Sequence, residues 1–288
     1  MTRSDRHIEV RLAVDAKAAL GEGPSWDDQE GVLIWVDITP GLVHRFDPSS
    51  GTDQVIPVGQ SVSVAVRRTQ GGLVVATRRG FSILDTKTGR SECIAAFDPS
   101  RRKNDGKCDS QGRFWVGTIV NEDGPGGLYR LELDGSVTKA LDGVGMSNGL
   151  CWSQDDETMF YIDTAEHRVD VFDHERQQGT ITNRRPFTTI QPAEGDPDGM
   201  TIDEEGYIWV ALWRGWAVHR YAPNGELDRV IRMPVSQVTS VCFGGPDLRD
   251  LYITTACEGD PGNGRGIAGG LYCVQPGVRG LPTQPYRG

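Results

Sequence analysis

Apolar and polar residues alternate in short runs along the whole chain, and one run recurs. An apolar residue, an aromatic residue or Val, a second apolar residue and then a small or polar one appear as Ile34-Trp35-Val36-Asp37 and Leu73-Val74-Val75-Ala76. The run returns as Phe114-Trp115-Val116-Gly117, Phe160-Tyr161-Ile162-Asp163, Ile208-Trp209-Val210-Ala211 and Leu251-Tyr252-Ile253-Thr254. These six copies are spaced 39 to 48 residues apart. Polar turns such as Gln70-Gly71-Gly72 and Asp203-Glu204-Glu205-Gly206 precede them. A third run follows, as in Val43-His44-Arg45-Phe46 and Val218-His219-Arg220-Tyr221, and a glycine turn closes the unit at Gly51, Gly89, Gly135, Gly179 and Gly225. Short β-prone runs bounded by turn residues read as strands. No segment of about 12 residues or more keeps a 3.6-residue apolar period, so few helices are expected.

Units of 40–50 residues built from short strands specify a β-propeller. The expected fold is therefore all-β: one six-bladed β-propeller of four-stranded blades spanning residues 1–288. The last repeat lacks an outer strand after Cys273, and the strand-like segment Ile8–Val14 precedes the first repeat. The N-terminal strand is expected to complete the last blade and close the ring. A pair of β-sandwiches is the competing architecture, but it supplies no reason for a six-fold repeat.

In a propeller the innermost strand of each blade lines a central channel. Eleven to thirteen positions before the repeat column stand Glu22, Ser63, Asn104, Asn148, Asp198 and Thr239, all polar. Taken singly, each is ordinary turn chemistry beside glycine. Taken together, they form a ring of oxygen donors around one axis. Carboxylates gathered there would repel each other and desolvate badly, and a bound cation relieves both costs. An oxygen-only set favours a hard divalent ion, Ca²⁺ first and then Mg²⁺ or Mn²⁺, with Zn²⁺ also accommodated by carboxylates.

Composition narrows the partners. The formal charge is −10 and the pI about 5.0, so phosphate backbones and anionic lipid surfaces are repelled. Nucleic acid and membrane are excluded as expected partners; the longest wholly apolar stretches, such as Val32–Val36, are far short of the ~18 residues of a membrane span. Met1–Lys17 has no apolar core of a secretory signal. The 37 glycines follow no three-residue period and fit the many turns. Six cysteines, Cys93, Cys108, Cys151, Cys242, Cys257 and Cys273, form no Cys-x-x-Cys pair, and four lie in apolar strand-like runs. They read as small hydrophobes of a reducing compartment, which makes the cytoplasm the expected location.

Several motifs carry less than their letters promise. Gly264-Arg265-Gly266-Ile267-Ala268-Gly269 matches a dinucleotide fingerprint, but a strand-like run follows where a helix is required. His7, His44, His167, His174 and His219 show no metal-ligand spacing, and no Gly-x-Ser-x-Gly elbow is present. Asp196-Pro197-Asp198-Gly199 has its glycine too early for a helix–loop–helix calcium site. Trp35, Trp115 and Trp209 fall on repeat strands and read as core, whereas Trp213 and Trp216, beyond a strand end, are candidates for a pocket wall.

Five motifs stand in order along the repeats: Leu20-Gly21-Glu22-Gly23-Pro24-Ser25-Trp26, Asn104-Asp105-Gly106-Lys107, Ser147-Asn148-Gly149-Leu150, Pro197-Asp198-Gly199-Met200 and Phe243-Gly244-Gly245-Pro246-Asp247-Leu248. Together they resemble the senescence marker protein (regucalcin)/gluconolactonase/luciferin-regenerating enzyme family, over about residues 8–275. The resemblance implies a six-bladed propeller with one divalent metal at the channel mouth that hydrolyses sugar lactones. It further implies Glu22, Asn148 and Asp198 as metal ligands, Asp198 as the base, Arg102 and Asn104 as substrate-binding residues, and Glu122 as a further substrate contact. Two features depart from the family pattern: Lys103 replaces an apolar residue, and the Asn121–Gly127 stretch is short and glycine-rich. Two other functions share the scaffold. One is a hydrolase of aryl esters, organophosphates or hydrophobic lactones; the other is a non-enzymatic calcium-binding propeller.

Overall fold

The computed structural model describes residues 9–262, 264 and 266–288. Ile8, the start of the expected N-terminal strand, lies outside them, as do His7 and Arg265. The chain begins with β1 (Arg11–Val14). The first blade follows as β2 (Gly21–Asp27), β3 (Val32–Asp37), β4 (Leu42–Asp47) and β5 (Thr52–Pro57). The second is β6 (Val62–Arg67), β7 (Leu73–Thr77), β8 (Gly80–Leu84) and β9 (Ser91–Ala96). The third is β10 (Lys103–Cys108), β11 (Phe114–Thr118), β12 (Gly126–Leu131) and β13 (Val137–Val144). The fourth comprises β14 (Ser147–Trp152), β15 (Thr158–Asp163), β16 (Arg168–Glu175) and β17 (Thr180–Thr189). The fifth comprises β18 (Asp196–Ile202), β19 (Ile208–Trp213), β20 (Ala217–Tyr221) and β21 (Leu227–Arg232). The sixth takes β22 (Val238–Gly244), β23 (Asp250–Thr255) and β24 (Leu271–Val274), and β1 completes it by pairing antiparallel with β24.

The recurring run is the second strand of every blade. Its aromatic column is buried because a sheet inside the ring has a neighbouring blade on each face; Trp115 and Trp209 are 0 % exposed. The apolar core accordingly divides into six clusters, one at each blade–blade interface. Outermost strands alternate with solvent, as in the partly exposed β5 and β9. Only two short 3₁₀ turns, Thr164–Glu166 and Pro192–Glu194, interrupt the strands among the described residues. Gly264 and Gly266 lie in irregular chain ahead of β24, with no helix following.

After β24 the chain crosses the face opposite the beginnings of the innermost strands. Its backbone bonds Ile202 and Glu204 of the fifth blade, Leu248 of the sixth, Arg67 and Thr69 of the second and Gly112 of the third. Tyr286, 1 % exposed, is packed between the second and third blades, and its Oη donates to the Glu132 carbonyl.

Candidate active site

All six ring positions lie near the start of an innermost strand and are buried. In every blade the ladder between the first and second strands shifts register at this point, for example between Glu22 and Ser25 and between Pro197 and Met200. A bulge re-aims side chains and breaks strict alternation. In blade 1 it is made by Gly23 at φ +53°, a left-handed backbone that a residue with a Cβ adopts at a cost.

The ring is not six free oxygen donors. Ser63 Oγ donates to the Lys103 carbonyl at 2.7 Å, Thr239 Oγ1 to the Gly21 carbonyl at 2.5 Å, and Asn104 Nδ2 to the Ser147 carbonyl at 2.8 Å. Each bond reaches the innermost strand of the next blade, so these three side chains stitch the ring together. Asn104 Oδ1 is spent as well, accepting from Arg102 Nη1 at 2.9 Å. Glu22, Asn148 and Asp198 are what remains.

Those three share one environment. Burial, and then repulsion from Asp105, raises the Glu22 pKa. Burial, followed by the charges of Glu22 and Asp105, pushes Asp198 well above the usual carboxylate range, while the Asn148 amide and Arg102 pull it down. Asp105 is raised by burial and restrained by Lys107. Asn148 Nδ2 donates to Thr164 Oγ1 at 3.0 Å, and its buried Oδ1 has no hydrogen-bond partner. Mutually repelling carboxylates beside an orphaned amide oxygen fit a hard cation, which would satisfy all of them. Among the described residues no three His, Cys, Asp or Glu side chains form a metal-holding group by themselves.

Of the residues expected on the substrate side, Arg102 lies close enough for its charge to lower the pKa of both Glu22 and Asp198. Arg102 is exposed immediately before β10, and its Nη1 donates to Asn104 Oδ1. Glu122 is exposed in the turn Asn121–Gly124. That turn is tied to the loop before Arg102, since Asn121 Nδ2 donates to the Ser100 carbonyl at 3.1 Å and Arg101 to the Pro125 carbonyl. Lys103 turns away from Arg102. Its Nζ donates to the carbonyls of Asp98 at 2.7 Å and Arg78 at 3.0 Å and lies 4.5 Å from the centre of the Phe97 ring. Burial lowers its pKa to about 8. Trp213 and Trp216 are half-buried against the chain at Gly259 and Gly264.

Two charged residues of the cluster escaped the sequence reading. Asp105 adjoins Asn104, and strict strand alternation would put the pair on opposite faces. Lys107 reaches across to the Met200 carbonyl at 2.8 Å. Both lie in the motif Asn104-Asp105-Gly106-Lys107, where the charges themselves were the available signal.

Comparison with known proteins places the chain. The family model described as SMP-30/Gluconolactonase/LRE-like region matches residues 20–257. The chain belongs to this family. It is 38 % identical to regucalcin of Xenopus laevis, over 98 % of this chain and 99 % of the relative. It is 37 % identical, with the same coverage, to YvrE of Bacillus subtilis, provisionally named a sugar lactone lactonase. Among solved structures, luciferin-regenerating enzyme superposes with a TM-score of 0.90 at 33 % identity, covering 97 % of this chain and 99 % of that one. A calcium-binding protein, regucalcin of Agrobacterium tumefaciens, also gives 0.90, at 28 % identity, covering 97 % and 98 %. The six-bladed fold is thus shared with these relatives.

Proposed function

We propose that this family member is a divalent-metal-dependent lactonase that opens a sugar (aldono)lactone to the sugar acid. The observation that carries the reading is the buried set Glu22, Asn148 and Asp198, with its unpartnered Asn148 oxygen, beside the Arg102–Asn104 pair. Lactonase names among the relatives support the reaction class. A cation held by these three residues, Ca²⁺ first and Mg²⁺, Mn²⁺ or Zn²⁺ as the others, supplies Lewis-acid polarisation of the lactone carbonyl when bound.

The chain's own groups do the rest. Asp198 takes a proton from the water that adds to the carbonyl carbon; the ring C–O bond then breaks, and Asp198 returns that proton to the leaving ring oxygen. Burial among negative charges raises the Asp198 pKa in the metal-free protein, and a cation bound beside it would offset that rise. Arg102 uses one N–H on Asn104, which leaves other donors of the guanidinium for sugar hydroxyls or the lactone oxygen. Glu122, exposed beside them, is suited to accept from a sugar hydroxyl. Lys103 serves the loop before Arg102 rather than the substrate. Solubility in a reducing cytoplasm belongs to the same reading, supported by six unpaired thiols; no helix is long and apolar enough to cross a membrane among the described residues.

A non-enzymatic calcium-binding role is favoured by the description of one structural relative as a calcium-binding protein. The two readings separate in one experiment. Metal-depleted protein is assayed on five- and six-carbon aldonolactones, an aryl ester and an organophosphate, with each of the four ions restored in turn. Ion-dependent turnover of an aldonolactone supports the proposal. Ion binding without turnover of any substrate replaces it with the calcium-binding role, and preferential turnover of the aryl ester or organophosphate replaces the substrate class.

A further inference from the structure

We infer that Thr164 is a positioning residue that fixes which end of the Asn148 amide faces the cation site; this rests on the proposed metal site. The argument is one of donors and acceptors. Thr164 Oγ1 lies 2.8 Å from the Pro197 carbonyl, and a carbonyl only accepts, so the single hydroxyl proton is committed there. The hydroxyl oxygen can then only accept from its other neighbour, Asn148, at 3.0 Å. The neighbour in that position has to be the NH₂ end of the amide. The Asn148 oxygen is thereby turned the other way, which is why it is buried with no partner.

The same hydroxyl grips both ligand strands. Pro197 immediately precedes Asp198 on β18, so one side chain on blade 4 sets the amide of Asn148 and the backbone leading into Asp198. The Asp198 carboxylate also attracts the Asn148 nitrogen. An ion that claims the Asp198 oxygens removes that attraction, and Thr164 is then the partner that holds the amide. Thr164 is itself held. It opens the 3₁₀ turn Thr164–Glu166, whose N-terminal cap Asp163 accepts from Ala165 N at 3.3 Å, Gly145 N at 2.9 Å and Met146 N at 2.8 Å. The last two precede Ser147 and Asn148, so the hydroxyl and the amide are anchored to the same carboxylate.

The test is Ca²⁺ affinity by titration calorimetry on metal-depleted wild type, Thr164→Val and Thr164→Ser, with folding checked by circular dichroism. Thr164→Val keeps the shape and removes the hydroxyl; it is expected to weaken binding about 10–100-fold, the usual effect of losing a group that orients a metal ligand. Thr164→Ser keeps the hydroxyl and is expected to bind as the wild type does. Wild-type affinity in folded Thr164→Val overturns the inference while leaving the metal site intact. Loss in Thr164→Ser equal to that in Thr164→Val overturns the hydroxyl account. A wild type that binds none of Ca²⁺, Mg²⁺, Mn²⁺ or Zn²⁺ overturns the metal site and this inference together.

Discussion

Replacing Asp198 with Asn separates two effects that a purely structural carboxylate would not show together. In the metal-free protein, Glu22, Asp105 and Asp198 are buried and repel one another, so their pKa values lie above those of the unfolded chain. An acid whose pKa is raised on folding binds more protons folded than unfolded, so stability falls as pH rises across that interval. For Glu22 the interval runs from 4.5 to about 8. Asp198→Asn removes one of the three charges, so the metal-free variant should melt at or above the wild type at pH 7.5, with a shallower fall toward high pH. The ion acts in the opposite direction. A ligand at 100 times its Kd stabilises the folded state by about 2.7 kcal/mol. For a chain of this size that is a rise in melting temperature of roughly 5 °C. Wild type should show the rise and Asp198→Asn should lose most of it. The assay is scanning calorimetry at several pH values, with and without excess Ca²⁺. An Asp198→Asn protein that melts below the wild type without metal, yet gains the full rise with Ca²⁺, would refute the reasoning.

Other expectations concern the substrate side and the ring. Arg102→Ala should raise KM for the aldonolactone at least tenfold with little change in Ca²⁺ affinity, because the proposed function assigns Arg102 to the substrate and not to the ion; steady-state kinetics and calorimetry read the two. Lys103→Met removes the donor shared by the carbonyls of the exposed residues Asp98 and Arg78, at a cost of about 0.5–1.5 kcal/mol for each bond lost; denaturant unfolding checks this, and the loosened loop should raise KM more than it lowers kcat. A Cβ at Gly149 would lie 2.7 Å from both the Asp198 carbonyl oxygen and Met200 N. Gly149→Ala should therefore cost about 1–3 kcal/mol through overpacking and weaken Ca²⁺ binding by pushing blades 4 and 5 apart.

The propeller was legible because its second strands are apolar on both faces, which leaves a column such as Trp35, Trp115 and Trp209 at nearly constant spacing. The six polar positions of the ring were legible through that same register, and the family resemblance singled out Glu22, Asn148 and Asp198 among them. What their neighbours do was not. Ser63, Asn104 and Thr239 occupy equivalent positions in the sequence, yet each spends its polar group on the backbone of the next blade, a contact between residues about 40 or more than 200 positions apart. Asp105 was hidden for a different reason: period-two alternation separates it from Asn104, and the register shift between Lys103 and Gly106 cancels that rule. The partial occupancy of the ring and the third carboxylate are thus properties of the assembled blades rather than of any single strand.

The two ends of the chain fasten the ring in different ways. β1 works as a hoop, joining the last blade at the rim, whereas the segment after β24 is a crossbar bolted across the underside to blades 5, 6, 2 and 3. A wheel with a hoop alone could spring open at one joint. With the crossbar in place, separating two neighbouring blades also loads the blades on the far side, so the ring should give way as one body. Trimming the crossbar should turn a single melting transition into a staggered one.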